Sequence, residues 1–437
     1  MDTRRIDNII ALKKPWAPQA PGALAFHLNN LEVAEISEEA WQSFQNSAMK
    51  SDQEALEELK SWSQDLGSLS LPKKPSRFRS LTLNITQICN LACHYCAAGG
   101  DGTYGDPVKK ISIEKTIPQL RFFLDKLDAE ETFSVNLLGG EPLLYPEGVR
   151  LIAEYLREET QKRQLQLELS ITTNGTLITP EIAKMLGTNK VSVIISMDGD
   201  KKQTDAQRPT KTGESSFDLI QQSLQHLQPI RRQIPRLAFH GVFGKNNLDL
   251  RTAYEVFVAL GADQFDFTFD HDELSAEVSK AFTKALLEVA ATAYQRGGER
   301  ALRQIGFFDT IFSRLDERAP VRHYCGSGQT YLMIDAKNQV FTCPWDVGKP
   351  ELQVGAGTEL SERRLTPYQG DLIEKNNDCR SCWVKNLCGG GCMYLHKNRT
   401  GNKNSVDSVF CDRQRSLISM AISYYYQCRV PAESESL

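Results

Sequence analysis

The chain has 437 residues and a formal net charge of -4. That length exceeds one ordinary hydrophobic core and predicts two or three domains, or one large barrel with attachments. Acidic and basic residues are mixed along the sequence without a basic patch, so no nucleic-acid partner is expected.

The N-terminal run MDTRRIDNIIALKKPW lacks the apolar core and cleavage site of a signal peptide, and no stretch approaches the length of a membrane span. We therefore expect a cytoplasmic protein with no membrane partner. Because thiols stay reduced in the cytoplasm, the eleven cysteines indicate metal or redox chemistry rather than disulfides.

The first eighty residues predict a small module and a linker. The run GALAFHLNNLEVAEISEEAWQSF predicts two short strands, then a helix that begins after Ser37 with Glu39 close behind. The run SDQEALEELKSWSQDL predicts a second, charged helix. The proline-rich and basic segment 71–80 is typical of a linker.

Six β-rich runs then alternate with helical segments, which predicts a parallel sheet with right-handed crossovers. A doubly wound sheet has the same rhythm, and six units fall short of the eight in a complete barrel. Unusual polar residues directly follow the first four runs, where α/β folds of either kind build their sites. The runs are 80–86, 133–140, 167–175, 191–199, 237–244 and 264–269.

The first run leads into ICNLACHYC, which holds Cys89, Cys93 and Cys96 and has no fourth cysteine nearby. Three thiols make a poor structural zinc site, because such sites use four ligands. They suit an iron-sulfur cluster with one iron left open. A zinc site completed by a distant residue is the alternative.

The segment CNLACHYC resembles the CxxxCxxC motif of the radical SAM enzymes, including the aromatic Tyr95 before the last cysteine. The resemblance implies that the three thiolates hold a 4Fe-4S cluster whose fourth iron binds S-adenosylmethionine. The later GGEP resembles a second motif of the family, whose carbonyl and carboxylate groups accept hydrogen bonds from the ammonium group of S-adenosylmethionine. Alone, GGEP is also a common turn. Its residues here are Gly139, Gly140, Glu141 and Pro142.

Four further residues match positions where the family places polar contacts to S-adenosylmethionine. Thr173 and Asn174 end the third strand, and Ser196 ends the fourth. Ser196 and Arg208 are candidates to bind the ribose or the carboxylate, because a guanidinium suits a carboxylate. Helix capping and a surface ion pair are the alternatives.

The C-terminal third resembles the SPASM extension of radical SAM peptide-modifying enzymes. It has a predicted hairpin with a turn near Asp335–Asn338, although Asn338 stands where the family has glycine; asparagine also tolerates a left-handed turn. The seven cysteines of the pattern are Cys325, Cys343, Cys379, Cys382, Cys388, Cys392 and Cys411.

Such domains usually hold two auxiliary 4Fe-4S clusters. The resemblance assigns Cys379, Cys382, Cys388 and Cys411 to one cluster, and Cys325, Cys343 and Cys392 to the other, which is one ligand short. Cys428 is the candidate for that ligand, or else a small buried hydrophobic residue. Zinc is the alternative metal, since CxxC pairs also bind zinc.

The expected α/β fold is thus a partial (β/α)6 TIM barrel over residues 73–300, followed by a SPASM domain over 301–437. Residues 1–72 loosely resemble the winged-helix module that holds the leader of a precursor peptide by adding its strand to a sheet edge. A plain cap over the barrel is the alternative.

The resemblance implies a peptide maturase that abstracts hydrogen from a ribosomally made precursor and installs an oxidative cross-link through a carbon-carbon, thioether or ether bond. It also implies a leader-bearing precursor peptide and a reductase, flavodoxin or ferredoxin as electron donor.

Two other functions compete with this one. Anaerobic sulfatase maturases form formylglycine and carry a catalytic aspartate directly after the second SPASM cysteine, where this chain has Pro344. Asp346 lies two residues later and is the candidate general base, with a structural ion pair as its alternative role. The other competing function is a non-catalytic iron-sulfur electron carrier, which has no reason to keep an open iron and a GGEP loop.

Overall fold

The computed structural model describes residues 3–6, 8–13, 23–45, 78–96, 105–273, 275–369 and 372–429. The chain forms two compact units, each built from separate segments. The first comprises Met1–Lys73, Leu274–Tyr324 and Asp371–Leu437, and the second comprises Lys74–Glu273 and Cys325–Gly370. The boundaries expected from the sequence are linear and stay predictions.

The first unit begins with a four-stranded antiparallel sheet in the order β1-β2-β3-β4. Strands β3 and β4 and the helix after Ser37 confirm the prediction for this region, and the Ser37 hydroxyl accepts a hydrogen bond from the Ala40 amide at 3.2 Å. The two strands before them were not predicted. The elements are β1 (Thr3–Ile6), β2 (Ile9–Leu12), β3 (Ala23–His27), β4 (Val33–Ile36) and α1 (Glu38–Gln45).

The predicted charged helix 51–66 and most of the predicted linker lie outside the described residues.

The four-stranded sheet also packs on the C-terminal segment of the same unit. Asn386 donates from Nδ2 to the Leu28 carbonyl at 2.7 Å, and the Phe26 and Trp383 rings meet edge to face at 6.4 Å.

The second unit contains the six predicted strands as neighbours in one parallel sheet, in the order β10-β9-β8-β7-β6-β5. A doubly wound sheet reverses its strand order at a switch point, whereas this order runs in one direction as in a barrel wall. The sheet is thus a partial, unclosed barrel, as predicted. The strands are β5 (Ser80–Asn84), β6 (Thr132–Leu138), β7 (Gln166–Thr173), β8 (Ser192–Ser196), β9 (Leu237–Phe243) and β10 (Gln264–Phe269).

Helices cover one face of this sheet. Burial alternates along β6, where Phe133, Val135 and Leu137 are fully buried while Ser134 and Asn136 are only partly buried. Side-chain caps begin most of the helices, as where the Thr179 hydroxyl accepts from the Ile182 amide. The helices are α2 (Ile113–Leu124), α3 (Pro146–Lys162), α4 (Pro180–Thr188), α5 (Lys201–Gln207), α6 (Ser216–Leu227) and α7 (Leu250–Ala259).

A later hairpin extends the barrel sheet on its β5 side. Strand β11 (Tyr331–Ile334) lies parallel to β5, and β12 (Gln339–Phe341) returns antiparallel to β11. Asn338 adopts a left-handed φ of 61°, which confirms the predicted turn. The sheet ends in the short strands β13 (Gly355–Ala356) and β14 (Glu359–Leu360), and helix α10 (Glu362–Leu365) follows.

The remaining helices belong to the first unit. Helix α8 (Ala276–Arg303) bends at two glycines, Gly297 and Gly298, and packs on α15 (Ser408–Gln427). None of the helices described is both long and apolar enough to cross a membrane. The others are α9 (Gly306–Asp316), α11 (Leu372–Lys375), α12 (Asn377–Ser381), α13 (Lys385–Cys388) and α14 (Met393–Thr400).

Candidate metal and cofactor site

The loop after β5 carries Cys89, Cys93 and Cys96. The Cys89 sulfur accepts hydrogen bonds from the Leu91 amide at 3.4 Å and from Asn174 Nδ2 at 3.6 Å. Burial is the main cause that raises the pKa of Cys89 to about 12 and that of Cys93 to about 11, and the next cysteine in the loop contributes to each rise. Thiolates here would need a nearby cation, and the iron ions of a cluster would supply that charge.

The Gly-Gly-Glu-Pro turn after β6 lies against the beginning of this loop. The Gly140 amide donates to the Thr86 carbonyl at 2.8 Å, and the Glu141 amide donates to the Ile88 carbonyl at 2.9 Å. A Cβ atom at Gly140 would lie 2.1 Å from the Ile88 oxygen, and one at Gly139 would lie 2.4 Å from the Thr86 oxygen. Both glycines are therefore required by the close approach of the two backbones.

The Glu141 carboxylate is completely buried and joins this turn to the end of β7. It accepts hydrogen bonds from the Thr173 hydroxyl at 2.7 Å, the Asn174 amide at 2.7 Å and the Leu143 amide at 2.9 Å. Burial raises the pKa of Glu141 to about 7, and these three donors oppose that rise. Pro142 is buried and begins a 3-10 turn. The predicted contact between this carboxylate and the ammonium group of S-adenosylmethionine stays a prediction.

The Asn174 side chain links the end of β7 to the cysteine loop. Besides its contact with Cys89, its Nδ2 donates to Asn90 Oδ1 at 2.8 Å, and its Oδ1 accepts from the Thr176 hydroxyl at 2.7 Å. Asn90 Nδ2 in turn donates to that hydroxyl at 2.8 Å. The structure therefore brings Cys89, Glu141, Thr173 and Asn174 into one hydrogen-bonded group.

The structure gives Arg208 a partner that the sequence analysis missed. Its Nε and Nη2 donate to the two carboxylate oxygens of Asp198 at 2.9 and 3.0 Å. The predicted alternative of a surface ion pair is therefore wrong, since both side chains are buried. Nε and Nη2 of the guanidinium are thus occupied by Asp198, so a contact between Arg208 and S-adenosylmethionine would use Nη1. Ser196 ends β8 half-buried, opposite His240 of β9 in the strand register.

Four C-terminal cysteines line one cavity of about 500 Å³ in the first unit, together with Ile10 of β2. Burial raises the pKa of Cys388 and of Cys411 to about 12, and the thiols of this group raise one another's pKa further. They are the set that the resemblance assigns to one auxiliary cluster, namely Cys379, Cys382, Cys388 and Cys411.

Three consecutive glycines follow Cys388. Gly389, Gly390 and Gly391 all have left-handed φ values of 71°, 94° and 80°. Burial raises the pKa of Cys388, and the nearby backbone amides of Gly390 and Gly391 oppose that rise. Side chains would clash here, because a Cβ at Gly389 would lie 2.7 Å from the His323 backbone. Such N–H donors to sulfur are typical of iron-sulfur sites.

The second predicted set, Cys325, Cys343 and Cys392, draws on both units and stays a prediction. Within the second unit, burial raises the pKa of Tyr331, and Cys343 and Cys325 both add to that rise. In the part of the chain that the structure describes, no three Cys, His, Asp or Glu side chains converge as closely as the ligands of a single metal ion do.

Two other predicted residues lie apart from these groups. Cys428 directly follows helix α15 in the first unit. Burial raises its pKa, and the charge of Glu299 adds to that rise. Burial also raises the pKa of Tyr294 and Tyr424, and Cys428 adds to both rises. Cys428 is only partly buried, and both its predicted role as a ligand and the alternative of a small buried hydrophobic residue stay predictions. Asp346 is 6% exposed and closes a 3-10 turn that begins at Pro344.

The sequence analysis missed Asp198, Asn90 and Thr176. Asp198 lies in the SMDG segment at the end of β8. The other candidate site residues also follow strands of this sheet, so the position of Asp198 could have identified it. Asn90 and Thr176 are adjacent or nearly adjacent to predicted residues, but the sequence gives no sign that they contact each other.

Comparisons with known proteins agree with this geometry. A family model described as the radical SAM superfamily matches residues 83–249. The mycofactocin maturase MftC of Mycobacterium tuberculosis (strain CDC 1551 / Oshkosh) is 28% identical over 334 residues, which cover 72% of this chain and 78% of that protein.

Two solved structures share the fold. The structure of native anSMEcpe with bound AdoMet and Cp18Cys peptide matches with a TM-score of 0.64 at 19% identity, and covers 80% of this chain and 98% of its own. Streptococcus suis SuiB bound to the precursor peptide SuiA matches with a TM-score of 0.53 at 17% identity, and covers 94% of this chain and all of its own.

Proposed function

We propose that the chain is a radical SAM enzyme, as the family model that matches residues 83–249 indicates, and that it modifies a ribosomally made precursor peptide by installing an oxidative cross-link. The bond joins two side chains through carbon-carbon, thioether or ether linkage. The observation that carries the proposal is the loop of Cys89, Cys93 and Cys96 held in place by the Gly-Gly-Glu-Pro turn.

A reduced 4Fe-4S cluster with bound S-adenosylmethionine would supply a carbon radical that abstracts hydrogen from the peptide. In this proposal Cys89, Cys93 and Cys96 hold that cluster, and Asn174 orients the Cys89 sulfur through its Nδ2. The Gly139–Pro142 turn with Thr173, Asn174, Ser196 and Arg208 binds S-adenosylmethionine. Glu141, Thr173 and Arg208 are buried, so little water reaches the site to compete for hydrogen bonds to its charged groups.

The cysteine-rich region of the first unit supports the presence of auxiliary clusters. Cys379, Cys382, Cys388 and Cys411 share one cavity, and the backbone amides of Gly390 and Gly391 lower the pKa of Cys388, as amides near a cluster ligand do. We propose that these four cysteines would hold one auxiliary cluster and Cys325, Cys343 and Cys392 a second, and that such clusters would supply an acceptor for the electron lost by the substrate radical. Asp346 is the proposed base for the accompanying proton.

Two features support a peptide substrate with a leader. The relative SuiB is described with a bound precursor peptide, and MftC is described as a maturase. The N-terminal sheet of this chain has edge strands, β1 and β4, to which a leader strand can add. We propose that residues 1–72 bind the leader, residues 73–300 carry out the radical step and residues 301–437 hold the auxiliary clusters. The electron donor is a flavodoxin, ferredoxin or dedicated reductase, and the protein acts in the cytoplasm.

The first test is anaerobic cleavage of S-adenosylmethionine by the iron-reconstituted protein with dithionite. We expect 5'-deoxyadenosine from the wild type and none from Cys93→Ala. The matched control is Cys428→Ala, which lies outside the proposed cluster sites and should keep the wild-type rate. No cleavage by a fully loaded wild type would overturn the proposal.

The second test identifies the product on a candidate precursor, namely a short open reading frame beside the gene. A cross-link lowers the peptide mass by two hydrogens and leaves no aldehyde. Formylglycine formation from serine gives the same mass change, but its aldehyde reacts with a hydrazide probe. Labelling by the probe would therefore replace the cross-linking proposal with the sulfatase-maturase type of reaction.

A further inference from the structure

The Asp198 carboxylate lies at the centre of a buried group beside the cysteine loop. It is fully buried at the end of β8 and accepts four hydrogen bonds. Tyr95 donates its hydroxyl at 2.5 Å, the Val242 amide donates at 2.9 Å, and Arg208 donates twice at 2.9 and 3.0 Å. These four donors hold the carboxylate in one fixed position.

The group reaches the cluster ligands through Tyr95, which lies between Cys93 and Cys96 in the sequence. The Arg208 guanidinium carbon lies 5.2 Å from the centre of the Tyr95 ring, so the tyrosine contacts both members of the ion pair. Both charges act on Cys93, and they act with opposite signs. Asp198 therefore partly offsets the effect of Arg208 on the cysteine loop, where the effect of Arg208 is the larger of the two.

We propose that Asp198 is a positioning residue of the radical SAM site that anchors Tyr95 and partly offsets the charge of Arg208, and thereby sets the reduction potential of the cluster held by Cys89, Cys93 and Cys96. The inference rests on the proposed function, because it requires that cluster. The inference adds a role for Asp198 to the proposed function. It also gives Arg208 a second role, besides contact with S-adenosylmethionine.

The physical reason is the sign of the charge next to a cluster that gains an electron. A nearby uncompensated positive charge favours the reduced state and raises the potential, whereas a negative charge lowers it. Such effects are strong in a buried site, where water does not screen them. Removing either member of the pair exposes the charge of the other, so the two removals act in opposite directions.

The test is a potentiometric titration of the reconstituted protein followed by electron paramagnetic resonance, without S-adenosylmethionine. The relevant signal is the one that is missing in Cys93→Ala. We expect Asp198→Asn to raise the potential of this cluster and Arg208→Gln to lower it. Arg208→Lys keeps the charge and should return the potential toward the wild-type value.

The matched control is Asp218→Asn, which removes the same charge from an exposed ion pair with Lys201 in the same unit. We expect it to leave the potential unchanged, because exposed charges are screened. Iron per chain is measured in every variant. Should Asp198→Asn fail to load iron, the comparison of Arg208→Gln with Arg208→Lys carries the same test.

Shifts in the same direction for Asp198→Asn and Arg208→Gln would indicate general disturbance of the loop and would overturn the inference, as would no shift in either. Neither result would affect the proposed function, provided that the wild type cleaves S-adenosylmethionine. If the wild-type protein lacks the electron paramagnetic resonance signal that depends on Cys93, the proposed function itself is overturned.

Discussion

Single glycines determine how closely the two loops of the candidate site approach each other. At Gly140 the turn after β6 comes so near to the cysteine loop that the missing Cβ would lie 2.1 Å from a backbone oxygen. Backbone atoms cannot move aside as a flexible side chain can, so any side chain here must push the cysteine loop away.

We expect Gly140→Ala to reduce iron binding by the radical SAM cluster and to abolish cleavage of S-adenosylmethionine. The control is Gly187→Ala in helix α4, where the nearest contact is the terminal oxygen of Gln233 at 2.9 Å. That flexible group can move, and alanine favours a helix, so this variant should behave as the wild type. Iron per chain and 5'-deoxyadenosine formation measure both, and normal iron loading in Gly140→Ala would contradict the expectation.

The identity of the site residues was predictable from the sequence where the signal is local. The cysteine spacing and GGEP occupy a few consecutive residues, and the structure places both at the ends of neighbouring strands, as expected. The contact of Tyr95 with Asp198 spans 103 residues and that of Asn90 with Thr176 spans 86, and spacing alone cannot reveal such pairs. The sequence identifies Arg208 as a candidate, but its buried partner Asp198 depends on the tertiary fold.

At the scale of secondary-structure elements, the β11–β12 hairpin depends on one asparagine. Asn338 holds a left-handed φ of 61° at the turn. Its Nδ2 also donates to the Thr116 hydroxyl at 2.8 Å and to Gln119 Oε1 at 3.2 Å, both in helix α2. The residue therefore shapes the turn and ties the hairpin to the barrel wall.

Two substitutions separate these contributions. Asn338→Gly and Asn338→Ala both lose the bonds to helix α2, but only alanine meets a steric penalty in the left-handed conformation. We expect both to be less stable than the wild type, and alanine to be less stable than glycine by about 1 kcal/mol. Urea unfolding measures the difference, and equal stability of the two variants would show that the turn relaxes to another conformation.

The six parallel strands were predictable because alternating burial and helical periodicity are properties of short segments. The extension of the sheet by β11 was not, because the hairpin pairs with a strand from the far end of the unit. The same limit applies to β1 and β2, whose first residues TRRI carry little hydrophobic pattern.

On the scale of the whole molecule, the two units divide the cysteines unequally. The first unit contains a complete set of four in one cavity, whereas the second contains the three of the radical SAM motif together with Cys325 and Cys343. We therefore expect a substitution of one cysteine to remove iron only from the proposed cluster that this cysteine holds.

We expect Cys388→Ser to lose about four irons per chain, the content of one auxiliary cluster, and to keep the radical SAM cluster. Cys428→Ser should keep the full iron content, because Cys428 lies among tyrosines and charged groups. Iron analysis and the cluster signals in electron paramagnetic resonance check both results. A loss of iron in Cys428→Ser would restore this residue as a ligand.

The pairing of β11 with β5 has a consequence for the order in which the protein is made. Tyr331 lies 251 residues after its partner Ser80, and a ribosome adding about 5–20 residues per second needs roughly 13–50 s to reach it. Throughout that time one edge of β5 has no partner, directly before the loop of the three cysteines. An unpaired strand edge next to reactive thiols is prone to pair with other chains. The nascent chain therefore passes through a long period in which this edge is open to association with other chains.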